Sequence, residues 1–137
     1  ANRSTRQLVA DRARGCCEYC RSQVRFATEC FAVEHIEPRS QQGSHEPDNL
    51  ALSCQGCNNH KYTKVQGTDP VTNETVPLFH PRRQRWRDQF CWSDDGALVI
   101  GLTPTGRATV DALHLNRPGL VKLRRILFNA GENPPQE

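Results

Sequence analysis

No stretch of this 137-residue chain approaches the roughly 20 consecutive apolar residues that a membrane-spanning helix needs, so no membrane partner is expected. The opening residues carry no basic segment followed by a hydrophobic one, the mark of a secretory leader, and a cytoplasmic setting is expected. Lysine is nearly missing. Of eighteen cationic residues fifteen are arginine, the side chain whose planar fork pairs bidentately with phosphate, although surface solubility accounts for arginine equally well. Hydrophobic residues are scarce, at 36% with a mean hydropathy of −0.72, so the core is thin and a structural metal would matter to it. The seven cysteines are an odd set, which speaks against a secreted disulfide framework. Low-complexity segments are absent.

The cysteines that are present fall into a pattern. Cys17-Glu18-Tyr19-Cys20 and Cys54-Gln55-Gly56-Cys57 are two C-x-x-C knuckles, and such pairs can converge on one tetrahedral zinc ion. The two-residue spacing to Cys20 selects Cys17 over Cys16, and Gly56 is expected to allow a sharp turn in the second knuckle. Cys16, Cys30 and Cys91 remain as free thiols, which suits a reducing compartment. Between the knuckles lie Glu34-His35 and Asn49, and the second knuckle runs directly into Asn58.

Local patterns set out the elements. Ser4 and Gln7 read as a capping box opening a helix over 4–14 that Gly15 ends. Residues 31–36 alternate as a strand and 49–54 as its antiparallel partner, followed by a helix over 57–64. Regular pleating aims Glu34 and His35 to opposite sides, so both serve one site only at a strand edge or a bulge. Residues 65–81 read as a connector, and 81–87 as a basic stretch that can grip phosphates, with Trp86 a core anchor. A hairpin over 90–100 turns at Asp95-Gly96. Thr105 is expected to cap a helix to Leu115 and Asn116 a second one, with Leu120, Leu123, Ile126 and Leu127 buried. The tail from Gly131 is expected to be mobile. The reading is a single domain over 1–137, with a core at about 15–64 and an extension at about 79–128.

Cys17-x-x-Cys20, Phe31-Ala32-Val33-Glu34-His35-Ile36-Glu37-Pro38-Arg39-Ser40, Asp48-Asn49-Leu50-Ala51-Leu52 and Cys54-x-x-Cys57-Asn58 with Lys61 together resemble the HNH endonuclease family in its four-cysteine zinc version. The resemblance implies an α+β protein with a small, treble-clef-like ββα-metal core. It implies His35 as the general base, Glu34 and Asn58 as ligands of one catalytic Mg²⁺ or Mn²⁺, and Asn49 as the residue that holds the loop. Lys61 would meet phosphate, and Arg39, Arg82 and Arg83 are further candidates for nucleic-acid contact. The chain departs from the family's letters, with Asn58 in place of a histidine and Glu34 where aspartate or histidine is more usual. His60 is a rival third ligand on another helix face. His45, His80 and His114 read as loop or surface residues. The expected function is a metal-dependent DNA endonuclease that nicks one strand; the alternative is a zinc-knuckle module that binds nucleic acid or protein without cutting it.

Overall fold

β1, Ala32–His35, and β2, Leu50–Ser53, pair antiparallel with Ala32 opposite Ser53 and His35 opposite Leu50, as the alternation predicts. A computed structural model describes residues 1–136. Two more two-stranded antiparallel sheets follow among the described residues: β3, Gln66–Thr68, with β4, Thr75–Pro77, and β5, Phe90–Trp92, with β6, Val99–Gly101. Around them lie α1, Arg3–Arg12; α2, Gln55–Lys61; the single turn α3, Trp86–Gln89; α4, Pro104–Ala112; and α5, Pro118–Asn129. This is the α+β arrangement the motif implies, with a hairpin and helix at residues 32–61.

α1 begins two residues earlier than the capping box suggested. Asn2 is the cap, because its side-chain oxygen accepts the Thr5 N–H at 2.8 Å and satisfies a donor that has no partner inside the helix. Arg14 and Gly15 both turn left-handed beyond the last turn, so the chain reverses into the first knuckle. Val9 of α1 and its C-cap Ala13 pack against Leu50 and Leu52 of β2.

α2 also starts early, for a reason that ties it to the cysteines. Cys54 is its N-cap, and its sulfur accepts the Cys57 N–H at 3.5 Å. Residues 65–81, expected as a connector, contain the β3–β4 hairpin. Its strands are short and polar and its turn is stapled by Asp69, which accepts from Val71, Thr72 and the Arg107 fork. That staple also fastens the hairpin to α4.

The C-terminal helices correct the sequence reading in three places. Thr103, not Thr105, caps α4 by accepting from the Gly106 N–H at 2.9 Å, and Pro104 takes the first helical position, where no N–H is needed. Asn116 does not cap α5; it exchanges hydrogen bonds with Val99 on β6, and Arg117 occupies the cap position. Ile126 is 66% exposed, whereas Arg124 is buried because its guanidinium donates to the carbonyls of Ala97 and Leu115. The tail is tied where mobility was expected, since Asn133 donates to the Gly96 carbonyl at 3.0 Å.

The main core gathers Tyr19, Ile36, Leu78, Phe79, Trp86, Phe90, Val99, Leu113 and Leu115 around the four knuckle cysteines. Trp86 is its anchor, and its indole N–H donates to the Tyr19 carbonyl at 2.8 Å. Among the described residues no helix is long and apolar enough to cross a membrane.

Candidate functional site

The sulfurs of Cys17, Cys20, Cys54 and Cys57 are buried and lie within 4.8 Å of one another. The first knuckle is shaped by the Cys17 N–H donating to the Ser22 carbonyl and by Arg21 in a left-handed conformation. Glu18 clips it to β2, donating its backbone N–H to the Leu52 carbonyl while its carboxylate accepts the Leu52 N–H. The second knuckle is the start of α2. Four soft thiols at this spacing form a closed donor set that fits a structural zinc ion, with no position left open for chemistry. The close thiols of Cys17, Cys20 and Cys57 lower the Cys54 pKa.

Arg117 belongs to this centre and was not foreseen. Its guanidinium donates to the Cys54 sulfur at 3.4 Å and to the Cys57 sulfur at 3.6 Å, offsetting thiolate charge and linking α5 to the knuckle. The sequence signal is Gly56, expected to allow a sharp turn; it lies inside α2 and is not left-handed. A Cβ at that position would stand 2.4 Å from the guanidinium, so glycine is there to make room.

His35 ends β1 with its ring on the partly exposed side. Its Nε2 lies 2.9 Å from Nδ1 of His45, with the rings edge to face at 4.9 Å. Desolvation lowers the His35 pKa below its ordinary 6.5, and the nearby His45 and Arg39 push it the same way, so the ring is neutral near pH 7. Asn49 organises the loop that brings His45 in. Its side-chain oxygen accepts the Glu37 N–H at 2.9 Å, and its amide donates to the carbonyls of Glu37 and Ser44 at 3.0 and 2.8 Å. The loop closes so tightly that a Cβ on Gly43 would fall 1.7 Å from the Glu37 carbonyl oxygen. His45, read as an ordinary loop residue, is therefore placed by contacts that no spacing rule reveals.

Glu34 points the other way. The β1–β2 register runs unbroken, so no bulge re-aims it. Its carboxylate is buried, accepting from the Tyr19 hydroxyl and from Lys61 Nζ at 3.2 Å. Burial raises its pKa even with Lys61 alongside. Asn58 is partly exposed, and no side-chain hydrogen bond engages it among the described residues. The pair expected to hold a catalytic cation thus offers one uncommitted oxygen donor and one carboxylate whose oxygens are both engaged. As arranged, the two do not fit that ion.

Two expected phosphate contacts are corrected. Lys61 is 2% exposed and spends its ammonium on Glu34 and on the Ile36 carbonyl at 2.8 Å, so it cannot face a ligand. Arg82 pairs with the buried Glu18 beneath the surface. Arg83 does reach solvent, where it meets Glu37 at 3.3 Å, and Arg39 is exposed. His60 stacks on His114, with ring centroids 4.4 Å apart. His80 is partly buried and its Nδ1 accepts the Arg82 N–H.

The family described as HNH endonuclease matches residues 17–64, from the first zinc-knuckle cysteine to three residues beyond α2. That match takes in all four clustered cysteines. The chain is also similar to the Septu protein PtuB of Bacillus thuringiensis, at 28% identity over 114 residues, or 82% of this chain. It spans 41% of that protein's length. No solved structure matches. Within the matched residues lie the hairpin, α2, the thiol cluster and the His35–His45 pair; Arg117 reaches the cluster from outside them.

Proposed function

We propose that the chain is a DNA endonuclease in which His35 is the general base for phosphodiester hydrolysis. The observation that carries this reading is a neutral, partly exposed imidazole at the end of β1, held by His45 inside an HNH domain. Hydrolysis needs a group that takes a proton from water near neutral pH, and imidazole is suited to that task. When the attacking water replaces His45 at Nε2, His35 accepts its proton; hydroxide adds to phosphorus, and the 3′ oxygen departs and takes a proton from solvent, leaving 5′-phosphate and 3′-hydroxyl ends. Asn49 acts through the loop, keeping His45 and the end of β1 in register. Dependence on Mg²⁺ or Mn²⁺ is part of the proposal, but Glu34 becomes a ligand only by giving up Lys61 and Tyr19. The step above involves the protein's own groups alone.

The inward turn of Glu34 favours a second reading, a zinc-knuckle module that binds nucleic acid without cutting it. Plasmid nicking by the purified protein with Mg²⁺ or Mn²⁺, and with EDTA, separates the two. The cutting protein nicks with metal, and His35→Ala lowers the rate by about 100-fold or more. Equal nicking by His35→Ala removes His35 from the role, and no nicking under any condition leaves the binding module.

The pH profile is a further check on the same residue. A lowered pKa keeps His35 mostly unprotonated at the pH where an ordinary histidine is half charged, so the nicking rate should fall to half only below pH 6.5. A rate already halved at pH 6.5 would contradict a base with this environment.

A further inference from the structure

Three recesses meet end to end on the surface beside the basic stretch. The first, of about 590 Å³, is lined by Arg12 and Arg14 at the end of α1, by Glu18 and Arg21 of the first knuckle, and by Trp86 and Arg87. The second, of about 310 Å³, shares Glu18, Arg21, Trp86 and Arg87 with the first and adds Arg85. The third, of about 250 Å³, shares Phe79 and Gln84 with the second and ends at Ile36 and Glu37, directly after His35 in the chain. Sharing lining residues in turn, they run from the end of α1 to Glu37 and Lys61, on the Glu34 side of β1.

The charge along this groove is one-sided. Among the described residues its two lining carboxylates are both paired, Glu18 with Arg82 and Glu37 with Arg83. Arg14, Arg85 and Arg87 are exposed, and none forms an ion pair or a side-chain hydrogen bond among the described residues. The aromatic floor is closed to stacking. The Arg21 guanidinium covers Trp86 at 5.2 Å, Phe90 and Trp92 lie against the same indole, and Arg124 covers Trp92 at 5.3 Å. A ligand here meets arginine forks and no bare ring, which selects phosphate oxygens over splayed bases.

We infer that this groove binds the phosphate backbone of duplex DNA flanking the cut site, gripped by Arg14, Arg85 and Arg87 without regard to base sequence. The inference rests on the DNA-cutting reading and extends it to a surface outside the motif residues of the hairpin and α2. It also explains the placement of the basic stretch: Arg82 is consumed in holding the knuckle, whereas Arg85 and Arg87 face outward.

Binding can be measured without cutting, by fluorescence anisotropy of the His35→Ala protein with labelled duplexes of two unrelated sequences across a salt series. Adding Arg14→Glu and Arg87→Glu should weaken binding to both duplexes at least about tenfold and flatten the slope of log Kd against log salt by about two. Arg125→Glu, on exposed α5 outside the groove, should change affinity less than about twofold by the same charge argument. The milder Arg14→Gln with Arg87→Gln should move affinity in the same direction, and circular dichroism should show all variants folded. Parental affinity in the double glutamate variant overturns the groove alone, as does a loss confined to one sequence. Failure of the His35→Ala parent to bind any duplex overturns the DNA reading and the groove together.

Discussion

Cys54→Ser protein is expected to be unfolded at 25 °C, with the zinc gone and the cooperative thermal transition lost. Cys54 supplies one of four clustered sulfurs, caps the first turn of α2 and accepts from Arg117, so one substitution removes three constraints. Structural zinc contributes about 10–16 kcal/mol of apparent binding free energy, which exceeds the roughly 5–15 kcal/mol net stability of ordinary domains in most cases. Circular dichroism melts together with zinc stoichiometry check this, and a strong chelator should reproduce the effect in the unmodified chain. Cys30→Ser is the comparison, because Cys30 is exposed and outside the cluster; it should melt like the parent. A Cys54→Ser melt matching the parent would show that the thiols hold no metal that matters to the fold.

Lys61→Met should be the next most damaging change. It leaves the Glu34 carboxylate at 6% exposure with the Tyr19 hydroxyl as its remaining partner, and breaking a buried pair from one side costs about 3–5 kcal/mol. The loss also frees the Ile36 carbonyl that Lys61 caps, loosening the join between β1 and α2. Adding Glu34→Gln to Lys61→Met should restore much of that stability, since the buried charge then disappears with its partner. Urea denaturation of the two single variants and the double variant gives the coupling directly. Independent, additive effects would mean that the two side chains are not paired. The same set bears on chemistry: Glu34→Gln that stays folded yet no longer nicks would show that the carboxylate leaves Lys61 during the reaction.

Much of the site was legible because it depends on short-range spacing. The two knuckles, the β1–β2 pairing, α2 and the opposed directions of Glu34 and His35 all follow from sulfur spacing and pleat alternation. What stayed hidden depends on contacts between distant residues. His45 comes to His35 only after Asn49 has bound the backbone at Glu37 and Ser44, and no periodicity encodes that closure. Arg117 lies sixty residues beyond Cys57, on a helix whose relation to the knuckle is set by packing. The β3–β4 hairpin went unseen because its residues are polar and half-exposed, and its turn is held by Asp69 and Arg107 in place of an apolar face. Ile126 looked like a core residue by helical period, yet an arginine takes the interior because unpaired carbonyls there need donors more than they need methyl groups.

The bond from Arg117 to the cysteine sulfurs gives the chain a long-range dependency. An oxidant that converts Cys54 or Cys57 to a sulfinate would eject the ion and swap soft sulfur for hard oxygen opposite a guanidinium at the very start of α5. Damage at the second knuckle would then be transmitted to a helix far along the chain, making α5 a reporter of the redox history of those sulfurs.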